Sequence, residues 1–177
     1  MTRHVIDPAA SSLRIRTRAS GLLARLAHDL ELRATVLEGG VDEEPVSWTT
    51  DLRVPVSGLR VAGTLHGDRL DQAALSVSDR AEIERKLRDE VLRVGEVRVR
   101  ATGRDRAAAE VEVIATRTAQ ARVALSIREA GGGALQVVAS LPLSLRALGV
   151  AEVKGPLGAF KVDDRVEVLV DLRLRPA

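Results

Sequence analysis

The sequence predicts a mainly β protein, an antiparallel barrel of about eight strands with one covering α-helix at about residues 79–92. Three observations carry this. Apolar and polar residues alternate with a period of two through most of the chain, which gives each strand one dry and one wet face. Only one stretch repeats its apolar residues convincingly at helical spacing. Small residues recur at inward positions (Ala34, Ala101, Ala109, Ala115, Ala121, Ala139), favouring a barrel with interior room over a tightly filled sandwich.

In chain order, "SLRIRTR" sets Leu13, Ile15 and Thr17 against Arg14, Arg16 and Arg18. A short helical turn is expected at 21–27, from Leu22, Leu23 and Leu26. "LELRATV" then sets Leu30, Leu32, Ala34 and Val36 against Glu31, Arg33 and Thr35. The pattern returns at Trp48 to Val54, in "EVRVRA", "AEVEVIAT", "ARVALSI", "LQVVASLPLSL" and "RVEVLVDLRLR", making eight or nine strands. The segments "EGGVDEEP", "TGRD" and "AGGG" read as the turns between them. In the helical stretch, Ser78 is placed to cap "DRAEIERKLRDEVLR". Ile83, Leu87 and Val91 form one stripe, Glu82–Lys86 and Glu84–Arg88 are spaced for i,i+4 pairs, and Gly95 lies just beyond.

The 177 residues fit a single domain spanning 1–177, large enough to build a core without staples. With no cysteine, disulfides, thiolate metal sites and cysteine nucleophiles are excluded. The formal charge is only +2, and the sequence pI of about 9.6 overstates the basicity, because Tyr and Cys are absent and Lys occurs only at 86, 154 and 161. Charges alternate rather than pool, and one Trp and one Phe make no stacking platform, so nucleic acid is not an expected partner. There is no signal-peptide pattern and no transmembrane stretch, so a soluble, cytoplasmic protein is expected. A homodimer is the default oligomer.

The histidines invite a catalytic reading that the spacing does not support. His28 and Asp29 are adjacent, so on a strand they point to opposite faces. His28 is expected at the barrel mouth and Asp29 in water. His4, His28 and His66 are too scattered for a metal site. "HGDRLD" at 66–71 fits neither a calcium loop nor a phosphate loop and reads as a turn. The glycines of "VKGPLGAFKVDD" precede no helix that would assist anion binding, and that segment reads as a loop with Phe160 tucked under the barrel. No serine sits in a nucleophile elbow. No enzymatic constellation emerges, and neither a catalytic residue nor a cofactor is expected.

Three stretches together resemble the YceI-like family. "VIDPAASSLRIRTRASGLLARLAHDLELRATVLEGGV" is similar to its opening, "DRAEIERKLRDEVLRVGEVRVRA" to its helix and following strand, and "LPLSLRALGVAEVKGPLGAFKVDDRVEVLVDLRL" to its closing strand pair. The resemblance implies a lipocalin-like barrel whose apolar interior binds a polyisoprenoid chain, such as the tail of a polyprenyl quinone or a similar lipid. It implies His28 at the pocket mouth. As candidate tail contacts it implies the inward positions Leu13, Ile15, Leu30, Leu32, Trp48, Val97, Val99, Val111, Val113, Val123, Leu125, Leu141, Leu143, Phe160, Val166 and Val168. The chain departs from the family in lacking an export signal and in carrying "RVGEVRVRA" where aromatic residues and a proline are common.

Two functions follow. One is a non-enzymatic binding protein holding an isoprenoid or other lipid-like chain in the barrel. The other is a structural or interaction domain whose barrel is closed by its own Val and Leu side chains and which binds a protein through a strand edge or the loop 150–161.

Overall fold

Alternation of apolar and polar residues builds strands along nearly the whole chain. The computed structural model describes residues 1–21, 28–154 and 161–177. Its strands are β1 (Thr2–Ile6), β2 (Ser12–Thr17), β3 (Ala19–Ser20), β4 (Asp29–Ala34), β5 (Glu38–Glu44), β6 (Ser47–Pro55), β7 (Leu59–His66) and β8 (Arg69–Asp71). After the helix α1 (Val77–Lys86) come β9 (Glu96–Gly103), β10 (Ala108–Ile114), β11 (Thr118–Glu129), β12 (Leu135–Ser144), β13 (Lys161–Val162) and β14 (Arg165–Pro176).

Several of these segments are halves of longer strands. β1 pairs with β5 while β2 pairs with β4, and β5 pairs with β6 while β4 pairs with β7. Three bent staves result: β1 with β2, β4 with β5, and β6 with β7. The third stave joins β9, then β10, β11, β12 and β14 follow in order, and β14 returns to both β1 and β2. This is a closed eight-stranded antiparallel barrel, as the sequence predicted. Closure pairs most of the edge that an open sheet would leave free.

The turn read at "EGGVDEEP" is instead strand β5. Its glycines are required by close backbone approach. A Cβ on Gly39, which has φ +126°, would collide with the Asp51 carbonyl, and one on Gly40 with the His4 carbonyl. The two-residue turn at Gly67–Asp68, inside "HGDRLD", does connect β7 to β8.

The helix covers a place where, among the described residues, a strand of the ring lacks a neighbour. β6 pairs with β9, but on the far edge of β7 the short β8 pairs only with Thr64–His66, and no described strand lies beside the residues before them. Side chains of α1 serve that edge: the Val61 amide donates to Glu84 at 2.9 Å, and Arg80 donates to the carbonyls of Val61 and Ala62 at 2.9 and 3.1 Å. Glu84 is thereby drawn away from Arg88, its predicted partner, and lies 3.8 Å from Arg60. The Glu82–Lys86 pair forms at 2.8 Å.

The cap is Ser76, not Ser78. Ser76 and Asp79 make a reciprocal capping box that starts the helix two residues before the predicted position. Residues Leu87–Leu92 continue as a π-helical turn, which Arg93 ends in the left-handed region at φ 53°. In an α-helix a four-residue spacing drifts forward by about 40° per step, and the wider π-turn drifts back by a similar amount. Ile83, Leu87 and Val91 consequently share the face turned to the barrel interior.

Candidate functional site: an apolar bore inside the barrel

The inward faces of the eight staves do not meet in the middle. Residues at the lower end, such as Leu172, Leu174, Ala109 and Val123, are buried. Val97, Val99, Leu125, Val137, Ala139, Val168 and Val170 point inward yet stay only half-buried, because they face a cavity of about 740 Å³. That volume lies within the range of small-molecule sites. The barrel's own valines and leucines therefore leave its interior open.

Period-two alternation lines this bore. Leu13, Ile15, Leu30, Leu32, Trp48, Val97, Val99, Val111, Val113, Val123, Leu125, Leu141, Leu143, Val166 and Val168 all border it, and His28 stands exposed at its mouth. Phe160 lies outside the described residues, as do 155–160 of the loop and residues 22–27 of the helical turn expected at 21–27. Asp29 does not simply face water: its Oδ1 accepts from the Ala19 amide at 2.8 Å and ties down the corner where β2 leads into β3.

The bore has further walls. On β6, Thr50, Leu52 and Val54 continue from Trp48; β12 contributes every second residue from Leu135 to Leu143, with Leu145 just beyond it; and β14 continues through Val170, Leu172 and Leu174. The same alternation extended along each strand would have found them. The helix face of Ile83, Leu87 and Val91 closes the side.

The two ends differ in chemistry. At the mouth, the ionisable side chains bordering the bore are basic: Arg18, His28, Lys86 and Lys154. Lys86 and Lys154 also pair with Glu82 and Glu152, which do not border it. Glu152 is held below the usual glutamate range by Lys161 and Lys154. At the opposite end Trp48 lies buried, with Glu43 beside it bonded to Arg106 at 2.8 Å. Between the ends the polar lining is sparse; the Thr50 hydroxyl there donates to the Gly40 carbonyl at 2.7 Å. The interior is thus apolar along its length and basic at its mouth.

A closed barrel with an open apolar interior and one covering helix is a lipocalin-like architecture. Solved structures share this fold. BcnA of Burkholderia cenocepacia superposes with a TM-score of 0.66 at 10% identity, over 95% of this chain and 98% of that one. A polyisoprenoid-binding domain from Saccharophagus degradans, implicated in plant cell wall breakdown, superposes at 0.63 with 9% identity over the full length of both. Both are YceI-like, so the chain has the fold its sequence resemblance implied. No protein-family profile and no curated sequence matches the chain. No described helix is long and apolar enough to cross a membrane.

Proposed function

We propose that the protein is a non-enzymatic carrier that holds an isoprenoid or other lipid-like chain in its bore, with the polar head at the basic mouth. The observation that carries this reading is the half-burial of inward valines and leucines around an apolar cavity of about 740 Å³. Open space lined this way is costly when empty, since each wall residue lacks packing partners on one side. Filling it is favourable: each methylene contributes about 0.8 kcal/mol, so a ten-carbon stretch offsets the ordering of a flexible tail. The polyisoprenoid-binding domain with the same fold supports an isoprenoid as the chain. A polyprenyl quinone or a similar lipid satisfies both the bore and the rim.

The test is thermal unfolding with a series of polyprenyl quinones, prenols and fatty acids. At a hundredfold excess over Kd a ligand stabilises by about 2.7 kcal/mol. For a chain of this length that raises Tm by roughly 5–10 °C. A series in which no member raises Tm contradicts the reading.

A further inference from the structure

At the end of the bore opposite the mouth one ring is firmly held. Trp48 is the second residue of β6, and its cross-strand neighbours are Glu43 on β5 and Gly103, the last residue of β9. The indole Nε1 donates to the Asp105 carbonyl at 2.7 Å. The ring lies against Gly103 so closely that a Cβ there would fall 2.5 Å from Cε2 and Cζ2. The turn beneath is itself pinned, because the Asp105 carboxylate accepts from the amides of Ala107 and Ala108 at 2.8 and 2.9 Å. Glu43 and Arg106 brace the other side at 2.8 Å. Among the described lining residues Trp48 is the sole aromatic.

We propose that Trp48 is the floor of the bore and sets the length of chain the barrel accepts, at about five isoprene units. This rests on the chain-binding reading above. Two measures of the bore agree on that length. β12 and the residue that follows it line the bore from Leu135 to Leu145. Ten strand residues rise roughly 33 Å, or about 25 Å along the axis of a barrel with strands tilted by about 40°. An extended isoprene unit advances about 5 Å, so about five units span the distance. The volume of about 740 Å³, at the packing density of a protein interior, holds roughly 27 carbon-sized groups, again about five units. A straight alkyl chain of the same span has only about 20 carbons and leaves about a quarter of the bore unfilled. Length and volume are matched together by a methyl-branched chain.

The sequence supplies the reporter: Trp48 is the only Trp and there is no Tyr, so the emission comes from the floor alone. The wild-type protein is titrated with prenols of three to eight units, each brominated either at the tail end or beside the hydroxyl. Tail-brominated chains are expected to quench strongly at five units and not at three, and hydroxyl-end bromine is expected to leave the emission unchanged. Affinity is expected to rise about tenfold or more per unit up to five units and to change by less than about twofold beyond. Trp48→Ala removes about nine ring atoms and is expected to move that plateau to six or seven units, while Trp48→Phe keeps it near five. If Trp48→Ala does not fold, the quenching pattern and the wild-type plateau decide alone. Chains that bind with affinity still climbing past six units, or that quench equally from the hydroxyl end, overturn the floor and leave the carrier reading standing. Failure of every prenol to bind overturns both.

Discussion

Replacing Ala139 by Phe separates an open barrel from a filled one. Ala139 lies midway along β12, opposite Leu125 and Val170, and faces the bore. The substitution adds about six carbons, which occupy roughly 160 Å³ at interior packing density, about a fifth of the cavity. In a filled core that excess forces neighbours off their rotamers and costs about 1–3 kcal/mol. For a chain of this size the loss lowers Tm by roughly 2–12 °C. In the open bore the ring enters space that no side chain occupies and buries apolar surface, so Tm is expected to stay level or rise by a few degrees. The same ring obstructs the bore at mid-height, and uptake of a five-unit prenol is expected to be lost. Scanning calorimetry and a prenol titration on the one variant read both outcomes. A fall in Tm of more than about 4 °C refutes the open interior.

Other consequences concern the scaffold. Glu31 is 1% exposed, with Arg14, Arg16 and Arg33 at 4.0, 3.1 and 3.2 Å. Removing it as Glu31→Ala leaves three arginines facing one another. The expected cost is about 2–3 kcal/mol in urea unfolding, the low side of a broken buried pair because Arg14 and Arg33 reach water. Arg33→Ala, at an exposed partner, is expected to cost under about 1 kcal/mol. Ser76→Ala removes the hydroxyl that accepts from the Asp79 amide, leaves the Ser76 amide's bond to the Asp79 carboxylate in place, and is expected to cost about 1 kcal/mol, a fall of roughly 2–4 °C in Tm by calorimetry. Asp51, Asp105 and Asp164 are held below the usual aspartate range by the Arg98 hydrogen bond, by the Ala107 and Ala108 amides, and by the Ser144 hydroxyl, respectively. A depressed carboxylate stabilises the fold above its unfolded pKa and loses that contribution as pH falls through the folded value. Their share of the urea midpoint is therefore expected to disappear below about pH 4. The pH dependence is expected to be shallower in Asp105→Asn, and an unchanged profile in that variant contradicts the assignment.

Much of the barrel was legible because its walls obey one period. Alternation in β2, β6, β9, β10, β11, β12 and β14 marks both the strands and the inward residues, and continuing it from Val168 through three more alternate positions reaches Val170, Leu172 and Leu174. Glycine misled at Gly39 and Gly40. In sequence a glycine pair reads as a turn, whereas here it lets strands β1, β5 and β6 approach closely, a long-range demand that local pattern does not carry. The helix start was misplaced because Ser76 and Ser78 are both plausible caps and only Ser76 has an acidic residue three positions on. The exchange of Arg88 for the edge of β7 as the partner of Glu84 likewise depends on a gap in the ring that no local spacing reveals. The openness of the bore was hidden for a geometric reason: whether medium-sized side chains meet across a barrel depends on strand number and stagger, not on residue size alone.

Native mass spectrometry of the freshly purified protein, followed by organic extraction, tests the carrier reading most directly. The expected result is a bound apolar species that is released by solvent and identified as an isoprenoid or related lipid, or, if the protein emerges empty, stoichiometric uptake of an added five-unit prenol. An empty protein that takes up neither prenol nor polyprenyl quinone contradicts it.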